Sequence, residues 1–173
     1  VDVFRIFDAM NDVRNLTASI KAVKKYKKHA EGTLSYTTSP VHDIPYFVNL
    51  AKEMESYGCD TIAIKDMAGL LKPLAAEILV SKLKETVDTP IHLHTHDTSS
   101  IQSSTYLRAI EAGVDVVDVA LGALSGLTSQ PNFNSVVAML QGHEREQKIN
   151  LSSLNAYSSY WETVRSYYYP FET

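Results

Sequence analysis

Cysteine is nearly absent from this chain. Cys59 stands alone, so no intrachain disulfide can form, and a reducing cytoplasm is the expected compartment. Excess positive charge is absent too. The net charge of -4 leaves no basic footprint for nucleic acid. No apolar run approaches membrane-spanning length, and no secretory signal opens the chain. What is present is ordinary for a globular protein: 45% hydrophobic and 21% charged residues, in 173 residues that support one domain with a sizeable core. The opening residues already read as a strand, and residues 167–173 stop with no helix C-cap or polar tail. A piece of a longer chain is expected.

Short apolar runs alternate with amphipathic helices. Strands are predicted near residues 2–7, 32–37, 61–66, 90–96 and 115–121, with starts about thirty residues apart, the length of a strand plus a crossover helix. The first helix is predicted over 12–29, with Leu16, Ile20 and Val23 as its apolar stripe. Its run of lysines reads as a solvated face, with phosphate binding as the alternative. The second has Asp43 as N-cap, Pro45 in its first turn, a stripe of Ile44, Phe47, Val48, Ala51 and Met54, and Gly58 at its exit. The third begins at Pro73, with Leu74, Ile78, Leu79, Leu83 and Val87 offered to the core. The fourth follows Ser99 and ends at Gly113. A fifth carries Phe133, Val136, Val137 and Leu140. A final helix carries Tyr157, Tyr160, Trp161, Val164 and Phe171, an aromatic stripe suited to core or interface packing.

Alternating strands and helices imply a parallel sheet. Polar or small residues share one face of several strands and aliphatics the other. That suits a TIM-type (β/α)8 barrel better than an open sheet covered on both faces. Five βα units are too few for a closed barrel of about 250 residues. The expected architecture is therefore α/β, a partial barrel over residues 1–142, followed over 143–173 by a linker and a Tyr-rich C-terminal helix.

Residues Ile91, His92, Leu93, His94, Thr95, His96 and Asp97 put three histidines on one parity and end in a carboxylate. Imidazoles in such a row make a plausible metal site, the alternative being separately hydrogen-bonded histidines. Lys65 ends another apolar run. At a barrel mouth its amine can be depressed in pKa by burial and take up CO2 as an anionic carbamate, an oxygen donor for a metal. The alternative is a lysine paired with Asp66 or a neighbouring carboxylate.

Four segments carry a resemblance: Asp2 through Asp8; Ile64-Lys65-Asp66-Met67-Ala68-Gly69-Leu70; His92-Leu93-His94-Thr95-His96-Asp97-Thr98; and Ser125-Gly126-Leu127-Thr128-Ser129-Gln130-Pro131. In this order they resemble the carboxyltransferase domain of the biotin-dependent family that includes pyruvate carboxylase, the oxaloacetate decarboxylase alpha subunit and the transcarboxylase 5S subunit. The tail from Tyr160 to Glu172 is more similar to pyruvate carboxylase and its separate B subunits. The resemblance implies carboxyl transfer between carboxybiotin and pyruvate or oxaloacetate. It implies a divalent metal, zinc first and manganese, cobalt or magnesium otherwise, with Lys65 as its carbamate, His94 and His96 as ligands and His92 outside the ligand set. It also implies a biotin carrier domain or subunit and a homo-oligomer.

The metal would polarise the keto acid and stabilise its enolate. The family's fourth ligand, an aspartate in Arg-Asp-x-x-Gln, is not in this sequence, and its proton-relay threonine would lie downstream. The stretch alone is expected to be inactive. Thr128, Ser129 and Gln130 are candidates for the substrate mouth, unless Ser129 only caps the helix near Pro131. Arg5 is a pocket residue or an inward charge paired with Asp8 or Asp66. Rival readings are a metal-dependent aldolase or acyl-transferring lyase on the same barrel, and a non-catalytic piece with an assembly role.

Overall fold

A computed structural model describes residues 1–172; Thr173, the last residue of the expected C-terminal segment, lies outside the described residues. Five parallel strands form one sheet in sequential order: β1 (Val3–Ile6), β2 (His29–Ser35), β3 (Thr61–Asp66), β4 (Ile91–Thr95) and β5 (Val116–Val117). Helices α1 (Val13–Lys25), α2 (Ile44–Ser56), α3 (Pro73–Lys84) and α4 (Gln102–Glu111) connect them, and α5 (Phe133–Met139) and α6 (Leu151–Ser166) follow. Each strand pairs with the next one along the chain, as in a run around a (β/α) barrel. Among the described residues β1 and β5 have free outer edges, so the arc of five βα units does not close.

The two sheet faces follow from side-chain alternation and register. Pairings such as Arg5 with Glu31, Ser35 with Lys65, Lys65 with His94 and Ala63 with His92 put the polar parity on one face. The other parity carries Ala30, Leu34, Ile62, Ile64, Ile91 and Leu93, all fully buried with Leu16, Ile20, Phe47, Met54, Leu79 and Leu83 of the helices. At Gly32 an added Cβ would lie 2.7 Å from the Cys59 sulfur and 3.2 Å from Met54 Cβ. The absence of a side chain there lets α2 lie close on β2. Asp12, Asp43, Asn132 and Asn150 cap α1, α2, α5 and α6, each accepting from a backbone N–H of the first turn.

Several boundaries differ from the sequence expectation. α1 stops at Lys25 rather than residue 29, and β2 starts at His29 rather than residue 32. Lys27 adopts φ +54° and the Lys28 N–H bonds to the Val23 carbonyl at 3.2 Å, closing the helix with a left-handed residue. A lysine fills the place where glycine is the usual signal, so the stop was hidden. β5 is two residues long rather than seven, because it is an edge strand held from one side only. On α3, Leu74 and Ile78 face outward. Ala76, Leu79, Val80 and Leu83 take the buried phase, and the small Ala76 lets the helix approach. The α6 aromatics do not enter the core: Tyr157, Tyr160 and Trp161 are exposed and only Leu154 of that helix is buried. No helix among the described residues is long and apolar enough to cross a membrane.

Candidate functional site

β4 sends His92 and His94 out of the polar face, beside Ala63 and Lys65 of β3. His96 follows the strand end, where its N–H bonds to the Asp66 carbonyl at 3.0 Å. Its ring turns back so that His96 Nε2 lies 3.2 Å from His94 Nε2. The other ring nitrogens are committed. His96 Nδ1 faces the Thr128 carbonyl oxygen at 2.6 Å, and His94 Nδ1 faces an Asp118 carboxylate oxygen at 2.7 Å. A carbonyl or carboxylate oxygen only accepts, so each Nδ1 carries a proton, and in the neutral form of each ring the lone pair is on Nε2.

The two Nε2 atoms therefore face each other. A tetrahedral ion with metal–nitrogen bonds of 2.0–2.1 Å separates two ligand nitrogens by about 3.3 Å, close to the observed gap. The donor set fits two positions of a metal site, with both imidazoles oriented by outer partners in the usual way. Among the described residues no group of three His, Cys, Asp or Glu side chains is arranged to hold an ion. For an ion to be held here, a further donor would have to be of another kind or lie elsewhere.

Lys65 is the neighbouring polar group on β3, in register with His94. It makes no ion pair with a described residue, which removes the pairing with Asp66 as its explanation. Its ammonium lies 3.6 Å from the centre of the Phe7 ring. Burial, and then the nearby Arg5 guanidinium, lowers its pKa. Asp66 points to the opposite face. It accepts from the N–H groups of Leu70 and Leu71 and from the Thr95 hydroxyl, each at 2.9 Å, and so builds the turn after Lys65. Gly69 in that turn has φ +63°, and a Cβ there would lie 2.7 Å from the His96 carbonyl oxygen. Asp97 is likewise structural: its carboxylate receives the Gln102 N–H at 3.1 Å, and its own N–H bonds to the Ser129 carbonyl at 2.8 Å.

Arg5 pairs with Glu31 and with Asp118, at 3.0 Å, rather than with Asp8 or Asp66. Asp8 instead receives the Asp12 and Met10 N–H groups and the Asn15 amide at the entry to α1. His92 lies between two carboxylates, with Nδ1 2.7 Å from Glu31 and Nε2 2.7 Å from Asp118. Burial opposes charge on His92, but the hydrogen bonds and charges of Asp118 and Glu31 prevail and raise its pKa to about 9. Burial alone would raise the Asp118 pKa; its bonds to His92 and His94 bring it well below the usual carboxylate range.

The loop before α5 brings up the remaining predicted residues. Thr128 and Ser129 meet the histidine strand through their carbonyls, and Gln130 closes the loop by accepting the Gly126 N–H at 3.0 Å. Asn132, not Ser129, caps α5. Three groups went unremarked in the sequence: Glu31, Asp118 and Tyr106. A signal for two of them existed. Glu31 and Asp118 are acidic residues inside otherwise small or apolar strand runs, on the parity that faces the histidines. Tyr106 sits in a helix with no local sign that its hydroxyl bonds to the Asp118 carbonyl.

Comparisons with known proteins place the chain in a family. A family model described as HMGL-like matches residues 6–160. Pyruvate carboxylase of Bacillus subtilis (strain 168) is 46% identical over 179 residues, covering 100% of this chain and 16% of that protein. The methylmalonyl-CoA carboxyltransferase 5S subunit of Propionibacterium freudenreichii subsp. shermanii is 42% identical over 175 residues, covering 100% of this chain and 35% of that protein. The solved carboxyl transferase domain from Rhizobium etli pyruvate carboxylase with pyruvate superposes with a TM-score of 0.98 at 46% identity, over 100% of this chain and 30% of that one. This chain thus spans no more than 35% of any of these three relatives. Its five βα units match part of a TIM-barrel-like carboxyltransferase domain, and the chain belongs to the HMGL-like family.

Proposed function

We propose that this chain carries the metal-holding part of a biotin-dependent carboxyltransferase, which moves a carboxyl group between carboxybiotin and pyruvate or oxaloacetate. The observation that carries the reading is the facing Nε2 pair of His94 and His96, 3.2 Å apart, beside Lys65 in register. The names of the relatives, pyruvate carboxylase and a carboxyltransferase subunit, support the substrate class and the reaction. Lys65 as its carbamate, His94 and His96 are the proposed ligands. A bound divalent metal, zinc or otherwise manganese, cobalt or magnesium, supplies Lewis acidity that stabilises enolate charge.

The residues of the chain prepare that site. The lowered pKa of Lys65 raises its share of neutral amine. That amine attacks CO2, forms a nitrogen–carbon bond and releases one proton, leaving an anionic carbamate. Asp118 and the Thr128 carbonyl hold the imidazoles with Nε2 forward. Thr128, Ser129 and Gln130 are the proposed substrate mouth, since their loop touches the histidine strand. Biotin arrives on a carrier domain or subunit. A homo-oligomer is proposed on the exposed Tyr157, Tyr160 and Trp161, and a cytoplasmic location on the free, buried Cys59 thiol.

The test is metal content by plasma mass spectrometry on the intact protein, with carboxyl transfer to pyruvate measured alongside. Wild type should hold near-stoichiometric metal, and His94→Ala and His96→Ala should each lose most of it. Feeding labelled CO2 should give the NMR signal of a carbamate carbon that vanishes in Lys65→Ala. A metal-free wild type sinks the reading. Lyase or aldol turnover without biotin and without the carbamate signal would favour the other chemistry on this barrel.

A further inference from the structure

We propose that Asp118 is a positioning residue that fixes the tautomer and aim of His94 before any ion arrives, and that Tyr106 holds Asp118 in place to do so. The inference deepens the metal reading above and rests on it for its purpose, though not for its geometry. The Asp118 carboxylate faces three donors. One oxygen receives His94 Nδ1 at 2.7 Å and Arg5 Nη1 at 3.0 Å; the other receives His92 Nε2 at 2.7 Å. Rotation of the carboxylate breaks at least one of these bonds. His92 cannot follow such a rotation, because its Nδ1 is held by Glu31 at 2.7 Å.

The backbone of Asp118 is held as firmly. β5 ends at Val117, so the regular ladder gives out just where the carboxylate must be placed. Two bonds take over. The Asp118 N–H donates to the Leu93 carbonyl at 3.1 Å, and the Asp118 carbonyl accepts from the Tyr106 hydroxyl at 2.5 Å. The same hydroxyl accepts from the Thr95 N–H at 3.4 Å. Tyr106 is fully buried, and its oxygen joins the residue after His94 to the residue that orients His94. The spacing of the His94–Asp118 pair is therefore set from outside the site. A histidine presents an open Nε2 only while Nδ1 keeps the proton, and a carboxylate held on Nδ1 enforces that choice.

The test uses the intact protein labelled with nitrogen-15 on histidine, stripped of metal, and then titrated with zinc alone. In wild type, His94 should give the Nδ1–H tautomer. In Asp118→Asn the spectrum should shift to Nε2–H or a mixture, and zinc should bind about 10–100-fold more weakly. Tyr106→Phe keeps the carboxylate and the ring volume, and should weaken zinc about 10-fold with the fold unchanged. It decides the matter if Asp118→Asn does not fold. An Nε2–H tautomer in wild type, or unchanged tautomer and affinity in the folded variants, overturns the proposal. A wild type with the Nδ1–H tautomer that binds no zinc would uphold the positioning while sinking the metal reading above.

Discussion

Ile91 and His92 are neighbours in sequence and lie on opposite faces of β4, in surroundings that share almost nothing. Ile91 is fully buried among Ile62, Leu93, Leu79 and other aliphatics, where contact is non-directional and fit matters more than identity. His92 faces two carboxylates at 2.7 Å, and each of its bonds depends on a donor being aimed at an acceptor. The same division runs across the sheet. Leu34, Ile64 and Leu93 hold the helices; Arg5, Glu31, His92, His94 and Asp118 hold one another. A strand of period two lets one stretch of chain serve both purposes. The helix-covered face should govern stability and the polar face activity.

Lys65→Ala gives the sharpest test of that separation. In the intact protein, carboxyl transfer should fall by about three orders of magnitude, about 4 kcal/mol in the barrier. The thermal midpoint should stay within about 2 °C of wild type. Unchanged turnover would remove Lys65 from the site. Leu93→Ala is the mirror experiment. Denaturant titration should show a loss of about 2–5 kcal/mol, with the folded fraction still binding metal. A loss well below that range would mean the covered face is not a packed core.

Gly69→Ala should break the separation, since the turn it occupies belongs to both faces. The left-handed conformation costs an L-residue about 1–2 kcal/mol. The new Cβ would also meet the His96 carbonyl oxygen at 2.7 Å, so His96 must shift. Stability and metal affinity should fall together; a fall in stability alone would show that the turn does not control His96.

Glu31→Gln should cost stability at neutral pH and converge on the wild type in acid. Burial pushes the Glu31 carboxyl up, but its bonds to His92 and Arg5 prevail and bring it from 4.5 to about 2. A carboxyl with a depressed folded pKa stabilises the protein above its unfolded value and loses that contribution as pH falls through the folded one. Thermal midpoints of the wild type should therefore decline between about pH 4.5 and pH 2, and the variant should lose part of that slope. Identical acid limbs would mean the Arg5–Glu31–His92 contacts add nothing.

The histidine row and Lys65 could be picked out because a strand's parity is a local property and their types are rare in apolar runs. The end of α1 could not, because Lys27 takes a conformation that its side chain does not advertise. On α3 the expected Leu79, Leu83 and Val87 are buried, but Leu74 and Ile78 are not, for a related reason. Leu74 and Ile78 look more apolar than Ala76, but a helix lying on a sheet gains more from a small residue at the line of contact.

Sequence alone determined the order of strands and helices, the two-faced pattern of each strand and the row of three histidines from which the facing pair comes. These depend on period, caps and residue type within a few turns of chain. Tertiary structure decided which carboxylates Arg5 finds, that Asp66 and Asp97 serve turns rather than the site, and that Asp118 and Tyr106 stand behind His94. Arg5 and Asp118 are 113 positions apart. Only the sheet register brings such distant groups within hydrogen-bond reach, and no local pattern records that meeting.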